Sequence, residues 1–481
     1  MTPHGVRSGR VVLLSTYELG RQPFGLASPT AWLRAAGAEV TVQDLALDEL
    51  DESAVRAADL IGLHVPMHTA TRLAQRVLPA VKALNPSAHV CVFGLYASMN
   101  DEHLRSLGAD SVIGGEFEQA LVDAFRRTVA GHAGPHPTQV VMDRLSFLPP
   151  DRTDLPPLTR YGHLVLPSGE VRVAGSTEAS RGCRHRCRHC PLVPVYDGRF
   201  RIVAPDVVLE DVRRQVSAGA EHITFGDPDF LNGPAHAVKV MKGLHAAHPD
   251  LTYDVTIKVE HLRRHRNLLP MLVDTGCILI TTAVESFDEE VLAKLDKGHT
   301  AADLEAVLAD LRNLGLALNP TFVAFHPWTT AGTYLRFVES IARLGLVEQV
   351  PPVQYAIRLL LPAGSKLLDL PEVAALVEPF DRDALCHPWR HPDPAIDQLH
   401  RGILGLVAET SANGTGRADV AAAVWNLARR VEDGGGCANA ARSPFDGTVV
   451  SVPGPSMSEP WYCCAEPTEG QLTSLATTTN T

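Results

Sequence analysis

Over the first 130 residues, short apolar runs alternate with stretches in which apolar residues recur every three or four positions. The runs at 11–15, 40–44, 60–64, 90–93 and 111–113 have the length and β-branched content of strands. Between them 29–36, 72–84 and 102–107 carry helical spacing, and 119–128 closes the series as a further helix. Alternation of this kind implies a parallel sheet covered on both faces, so residues 1–130 are expected to form a doubly wound, Rossmann-like α/β domain.

From 131 to 157 the pattern lapses into prolines and glycines, which predicts a linker over 131–170 that wraps the protein without regular structure. A second alternation follows. Strands are expected at 171–176, 222–225, 252–258, 278–284, 317–325 and 353–361, with helices at 206–218, 235–245, 264–275, 288–295, 302–314 and 334–344. In the first of these helices Val208, Val212 and Val216 share a face, and Pro205 stands at the first turn. About six βα units in succession predict a partial (β/α)6 TIM-type barrel over 171–400, with its site at the strand carboxyl ends. A helical segment, 401–432, contains a convincing helix at 418–431. Beyond 433 a Gly-Gly-Gly run, several prolines and a threonine-rich end predict a flexible tail without its own core. No fixed-period repeat is visible.

The length, 481 residues, suits two or three domains, and 45% hydrophobic with 20% charged residues is globular composition. A net charge of −12 argues against a nucleic-acid partner, which needs a basic footprint. No apolar run is long enough to span a membrane, and no apolar stretch with a small-residue cleavage site follows the charged residues 1–9. Of nine cysteines, three fall within eight positions and two are adjacent. That is no disulfide framework; it implies a reducing, cytoplasmic setting with metal or redox chemistry.

The segment Ser180-Arg181-Gly182-Cys183-Arg184-His185-Arg186-Cys187-Arg188-His189-Cys190-Pro191 places three thiols in C-x3-C-x2-C spacing directly after a strand. Three thiolates on a short loop can each bind one iron of a [4Fe–4S] cubane and leave the fourth iron open. Gly182 permits close approach of the backbone, and the neighbouring arginines are expected to offset the cluster's negative charge. The alternative is a structural zinc site completed by His185 or His189. No H-E-x-x-H or other paired spacing points to a second metal site.

From about Val11 to about Gly364 the chain resembles the radical S-adenosylmethionine (SAM) superfamily, in particular members with an amino-terminal cobalamin-binding-like domain. The resemblance implies that Cys183, Cys187 and Cys190 are cluster ligands and that SAM chelates the open iron. It further implies SAM contacts at Gly226, Asp227 and Asp229 in Thr224-Phe225-Gly226-Asp227-Pro228-Asp229-Phe230, at Lys258 and Glu260 ending the third strand, and at Glu285 and Ser286 in Thr282-Ala283-Val284-Glu285-Ser286. Lys297-Gly298-His299-Thr300 resembles the turn that commonly follows. Each group also ends an apolar run, where barrel sites are built, with helix capping as the alternative for Asp227, Asp229 and Glu285. Relatives bind cobalamin at the carboxyl edge of the first sheet. This chain lacks the Asp-x-His-x-x-Gly motif and has Thr16-Tyr17-Glu18-Leu19-Gly20 instead. Cobalamin therefore binds without that histidine, or the fold persists without the cofactor; His64 and His68 could face the site.

Trp461-Tyr462-Cys463-Cys464-Ala465-Glu466-Pro467 resembles the signature of the CUAEP/CCAEP-tail radical SAM proteins, some of which carry selenocysteine at the second cysteine. Similar enzymes with a cysteine-rich tail transfer the 3-amino-3-carboxypropyl group of SAM to arsenic. Cys463 and Cys464 are thus candidate catalytic thiols for a soft sulfur, selenium or arsenic substrate, carried on an arm hinged at Gly434-Gly435-Gly436, with Cys437 as a further ligand or resolving thiol. The bland reading is a tail whose thiols are idle. Cys91 and Cys277 sit in apolar strand settings that imply buried, inert thiols, and Cys386 could be either. The resulting expectation is a radical SAM transferase that acts on a small-molecule or metalloid substrate, draws electrons from a flavodoxin or ferredoxin, and uses the tail thiols. A cobalamin-dependent radical SAM methyltransferase and a non-catalytic metal-binding or redox-sensor protein are the other two readings.

Overall fold

Parallel pairing orders the first alternation. The computed structural model describes residues 9–132, 134–434, 443–445, 453–459 and 466. The first part runs β1 (Arg10–Ser15), α1 (Phe24–Ala35), β2 (Glu39–Asp44), α2 (Glu52–Ala57), β3 (Leu60–His64), α3 (His68–Leu84), β4 (His89–Phe93), α4 (Asp101–Ser106), β5 (Ser111–Gly115), α5 (Glu118–Val129) and β6 (Gln139–Val141). All strands are parallel in the order β2-β1-β3-β4-β5-β6. Because side chains alternate along a strand, Val12, Leu14, Ile61 and Leu63 pack on Leu73 and Val77 of α3. Val11, Leu13, Leu60 and Phe93 pack on α1 and α5 through Leu26 and Leu121. Both faces are covered, which is why these strands read as unbroken apolar runs. The order in which strands are added reverses between β1 and β3, and the carboxyl edge there is the crevice where doubly wound folds bind ligands.

The second part contains β7 (His163–Val165), β8 (Val171–Thr177), β9 (Ser180–Gly182), α6 (Val193–Tyr196), β10 (Phe200–Ile202), α7 (Pro205–Ser217), β11 (His222–Phe225), α8 (Pro234–Ala247), β12 (Thr252–Thr256), α9 (Val259–Arg264), α10 (Leu269–Asp274), β13 (Cys277–Glu285), α11 (Glu289–Leu295), α12 (Ala301–Asn313), β14 (Ala317–Phe322), α13 (Ala331–Arg343), α14 (Pro371–Ala374), α15 (Pro394–Ala412), α16 (Arg417–Glu432) and β15 (Ser456–Met457). Strands β8, β11, β12, β13 and β14 are parallel neighbours and curl into a nearly closed partial barrel. Its core gathers Ile223, Tyr253, Val255, Ile280 and Phe322 with Val208, Val212, Met241 and Leu308 from the outer helices.

Four expectations change. Residues 353–361 are not a sixth strand: Pro352–Tyr355 winds into a 3-10 turn, and one parallel bridge, Phe325 to Arg358, remains. The third barrel strand stops at Thr256, so Lys258 is the N-cap of α9 and Glu260 lies in its first turn. The segment expected to wrap without regular structure supplies β6 and β7. Tail residues also pair: β15 adds antiparallel to β7, which itself runs antiparallel to β8. Tyr17 donates to Glu459 Oε1 (2.8 Å), and Glu466 accepts from Arg72 Nε (2.9 Å) and meets His68 Nε2 at 2.8 Å.

Candidate functional site between the two domains

The three-cysteine loop is closed at its base like a hairpin, since β9 immediately before it pairs antiparallel with β10 beyond it. Gly182, the last residue of β9, has φ +72°, and a Cβ there would stand 2.4 Å from Tyr196 and 2.6 Å from the Arg199 carbonyl. Only glycine fits. Within the loop Cys190 N–H donates to the Cys187 carbonyl, Arg188 N–H to the Leu295 carbonyl, and Ser365 Oγ to the Arg188 carbonyl. The thiols are therefore presented from a braced turn.

Cys183, Cys187 and Cys190 are free thiols; Cys187 is buried and the other two half-buried. Burial pushes Cys183 up to about 11 and Cys190 up to about 12, helped by repulsion from Asp229 on the first and Cys187 on the second. Among the described residues, no set of three His, Cys, Asp or Glu donors within 4.8 Å of one another includes these sulfurs. A single zinc ion needs its ligands closer than that, whereas a cubane holds its three cysteines apart. His185 and His189 are engaged elsewhere, at His261 and Glu285. The donor set fits an iron–sulfur cluster better than zinc.

The arginines of the loop do not supply the compensating charge. Arg184 donates to the Asn232 carbonyl, Arg186 pairs with Asp197, and Arg188 donates to the carbonyls of Ala293 and Lys294. The cation that acts on Cys187 and Cys190 is the buried Lys297.

Glu285 ends β13 at φ +69°, next to a register shift in the pairing with β14. A non-glycine residue in the left-handed region at a strand end is a strained turn that re-aims its side chain. The Glu285 carboxylate lies 3.1 Å from Lys297 Nζ and 3.0 Å from His189 Nε2. Burial opposes its ionisation, but the two partners hold it well below the usual carboxylate range. Asp227 accepts from Ala179 N–H (2.8 Å) and Ser180 Oγ (2.5 Å), and burial raises it to about 7. It pins the approach to the cysteine loop.

A cavity of about 430 Å³ lies between the domains, within the range of small-molecule sites. The barrel contributes Cys190, Gly226, Asp227 and Glu285; the first domain contributes His64 and Phe117. Asp229, Lys258, Glu260 and Ser286 are not part of its wall. Asp229 caps the turn Phe230–Asn232 by accepting from Leu231 N–H, and Ser286 Oγ accepts from Asp288 N–H. His64 faces the cavity with Nδ1 3.4 Å from Glu18, whereas His68 is turned to Glu466. Cys437, Cys463 and Cys464 lie outside the described residues. Cys91 and Cys277 are buried, and burial raises both thiols; half-buried Cys386 is raised to about 11.

Several lining residues had no motif in the sequence. Thr256, Thr281 and Thr321 all stand at or near carboxyl ends of barrel strands, the one pattern that could have flagged them. Arg181 had no such signal. Its guanidinium is buried at the seam, 2.6 and 3.0 Å from the two oxygens of Glu118, 3.3 Å from Glu116 and 2.8 Å from Glu178. It also packs on the rings of Phe147, Phe117 and Phe24.

Residues 177–331 match the family model described as Radical SAM superfamily, and residues 10–125 the one described as B12 binding domain. The chain thus carries an amino-terminal B12-binding domain followed by a radical SAM domain. Among curated proteins it is similar to the bacteriochlorophyllide d C-12(1)-methyltransferase of Chlorobaculum tepidum, with 23% identity over 49% of this chain and 50% of that protein. It is also similar to the hopanoid C-3 methylase of Methylococcus capsulatus, with 24% identity over 64% and 62%. The chain spans about half to three-fifths of these relatives. The fold resembles that of the cobalamin-dependent radical SAM enzyme OxsB with aqua-cobalamin bound (TM-score 0.62, 15% identity, 82% of this chain and 66% of that one). It likewise resembles the methyltransferase TsrM of Kitasatospora setae with cobalamin and a [4Fe–4S] cluster bound (TM-score 0.55, 19% identity, 70% and 73%).

Proposed function

We propose that this chain is a cobalamin-dependent radical SAM methyltransferase acting on a small molecule. The observation that carries the reading is the single cavity walled on one side by the cysteine loop and barrel strand ends and on the other by the carboxyl edge of the B12-binding sheet. The names of the two curated relatives given above support methyl transfer over transfer of another SAM-derived group by tail thiols. No described residue bears on Cys463 or Cys464, and a soft-substrate role for them has no support from the relatives.

In this reading Cys183, Cys187 and Cys190 hold the cluster, and the first sheet's edge holds the corrin. When bound, the cluster supplies the electron that cleaves SAM, and the corrin supplies a methyl-carrying centre. The chain's own part is binding and orientation. Glu285, kept ionised by Lys297 and His189, presents a fixed negative charge to cationic SAM, and Gly226 leaves room for ligand against the strand end. Asp227 holds the backbone entering the cysteine loop. Glu18 receives the N–H groups of Phe24 and Gly25 (2.9 and 3.4 Å), which fixes the β1–α1 loop beneath the cavity without a cobalt-ligating histidine there. Asp229, Lys258, Glu260 and Ser286 support neighbouring turns instead of touching SAM. A flavodoxin- or ferredoxin-type donor supplies the electron.

Protein purified anaerobically from cells supplied with cobalamin should carry about four irons and a corrinoid spectrum. With SAM and reductant it should form 5′-deoxyadenosine and S-adenosylhomocysteine, and Cys187→Ala should lose iron and SAM cleavage together. Methylthioadenosine as the SAM product, or protein that takes up iron but no corrinoid, sinks the methyltransferase reading.

A further inference from the structure

His185, Asp229 and His261 belong to three separate elements: the cysteine loop, the segment after β11, and α9. The fold converges them. His185 Nε2 is 3.1 Å from His261 Nε2, His261 Nδ1 is 2.8 Å from Asp229 Oδ2, and His185 Nε2 is 4.0 Å from Asp229 Oδ2. One donor atom from each lies within 4.8 Å of the others. The side chains of Asp229 and His261 are 1% and 0% exposed.

A hydrogen bond joins His185 Nε2 to His261 Nε2, but none accounts for the approach of His261 Nδ1 to Asp229. Asp229 Oδ2 and His261 Nδ1 are buried and make no hydrogen bond with any group, although only 2.8 Å separates them. The two atoms are close but out of line. A shared ion has this effect, because each donor directs its lone pair at the metal and not at its neighbour. Bonds of about 2.0–2.1 Å in a tetrahedron put donors roughly 3.3 Å apart, inside the observed span of 2.8 to 4.0 Å. Glu260 Oε2 stands 3.4 Å from His185 Nδ1, where a carboxylate orients a ligating imidazole through its other nitrogen. Lys258 Nζ is 3.4 Å from the same Glu260 oxygen, so that carboxylate has a cation of its own beside it.

We propose that His185, Asp229 and His261 form a mononuclear divalent-metal site of the zinc type, distinct from the three-cysteine loop and open at a fourth position. Two imidazoles and a carboxylate are a borderline donor set suited to zinc. His185 lies between Cys183 and Cys187, so the ion ties the cysteine loop to α9 and to the turn capped by Asp229. The proposal does not depend on the reaction assigned above.

The full-length, cluster-loaded protein is equilibrated anaerobically with zinc sulfate against a weak chelator, and zinc and iron are counted together. The expected result is about one zinc per chain in addition to the iron, with nitrogen and oxygen donors at about 2.0–2.1 Å by zinc X-ray absorption. His261→Ala and Asp229→Asn should each weaken zinc binding at least tenfold while iron content is kept. Failure of the wild-type protein to take up zinc overturns the proposal by itself, whether or not the variants fold. A zinc shell of sulfur at about 2.3 Å, the mark of a misloaded cysteine loop, overturns it too, as does full zinc binding by a folded His261→Ala protein.

Discussion

Replacing Arg181 with methionine tests the seam between the domains most directly. Methionine leaves an apolar side chain beside Phe24, Phe117 and Phe147 but removes the charge that faces Glu116, Glu118 and Glu178. Breaking a buried ion pair from one side costs about 3–5 kcal/mol because the partner is left unpaired. Here the bidentate bond to buried Glu118 sets that scale, and loss of the stacked cation adds up to about 1–2 kcal/mol. Partial protonation of the carboxylates offsets some of it, so a net loss of about 3–5 kcal/mol is expected at pH 8. In the native protein burial works to raise Glu118, but Arg181 holds it below the ordinary carboxylate value. Without Arg181 its folded pKa rises above the unfolded one. The variant's extra stability is then present at low pH and lost as pH rises through the raised folded value, so the penalty is larger at pH 8 than at pH 5.5. Urea unfolding at both pH values, with hydrogen exchange at 116–118 and 180–182, measures both effects. Arg181→Met combined with Glu118→Gln should regain at least about 1 kcal/mol, since the pair is directly coupled. A loss below about 1 kcal/mol, or one equal at both pH values, would refute the reasoning.

Glu285→Gln should keep the iron content but weaken SAM binding at least tenfold, measured by equilibrium dialysis; unchanged affinity leaves Glu285 only its pairing with Lys297 and His189. Asp227, raised by burial to about 7, favours the folded state below the ordinary aspartate range, and this contribution is lost as pH rises through about 7. At about 1.36 kcal/mol per unit it amounts to at most about 4 kcal/mol, and Asp227→Asn should flatten that part of the pH–stability curve of ligand-free protein, followed by urea melts. Glu459→Ala with Glu466→Ala removes the ties to Tyr17, His68 and Arg72. Because Glu466 is 53% exposed, the global stability change should stay within about 1 kcal/mol, while limited proteolysis should cut the carboxyl-terminal segment several-fold faster.

The sequence by itself determined what depends on near neighbours along the chain. Two alternations of apolar runs and helical spacing specify two α/β units, because periodicity is local. The spacing of Cys183, Cys187 and Cys190 after a strand marks a candidate metal loop, because ligand reach is set by a few covalent steps. That Gly226, Asp227 and Glu285 line the cavity follows the same local pattern, since each closes an apolar run. Elsewhere local spacing misled. The apolar run 353–361 suggested a strand, but its first residues wind into a 3-10 turn and one bridge remains, and Lys258 with Glu260 begins a helix where a longer strand was expected. Tertiary structure alone decided which groups meet across long separations. It turned Asp229 from the cavity toward His261 and His185, buried Arg181 among three glutamates, made Lys297 instead of the loop arginines the cation beside the thiols, and paired β15 with β7. The physical reason is common to all four. Desolvation makes a buried charge or an unpaired strand edge costly, so these groups are placed by partners that no spacing along the chain encodes.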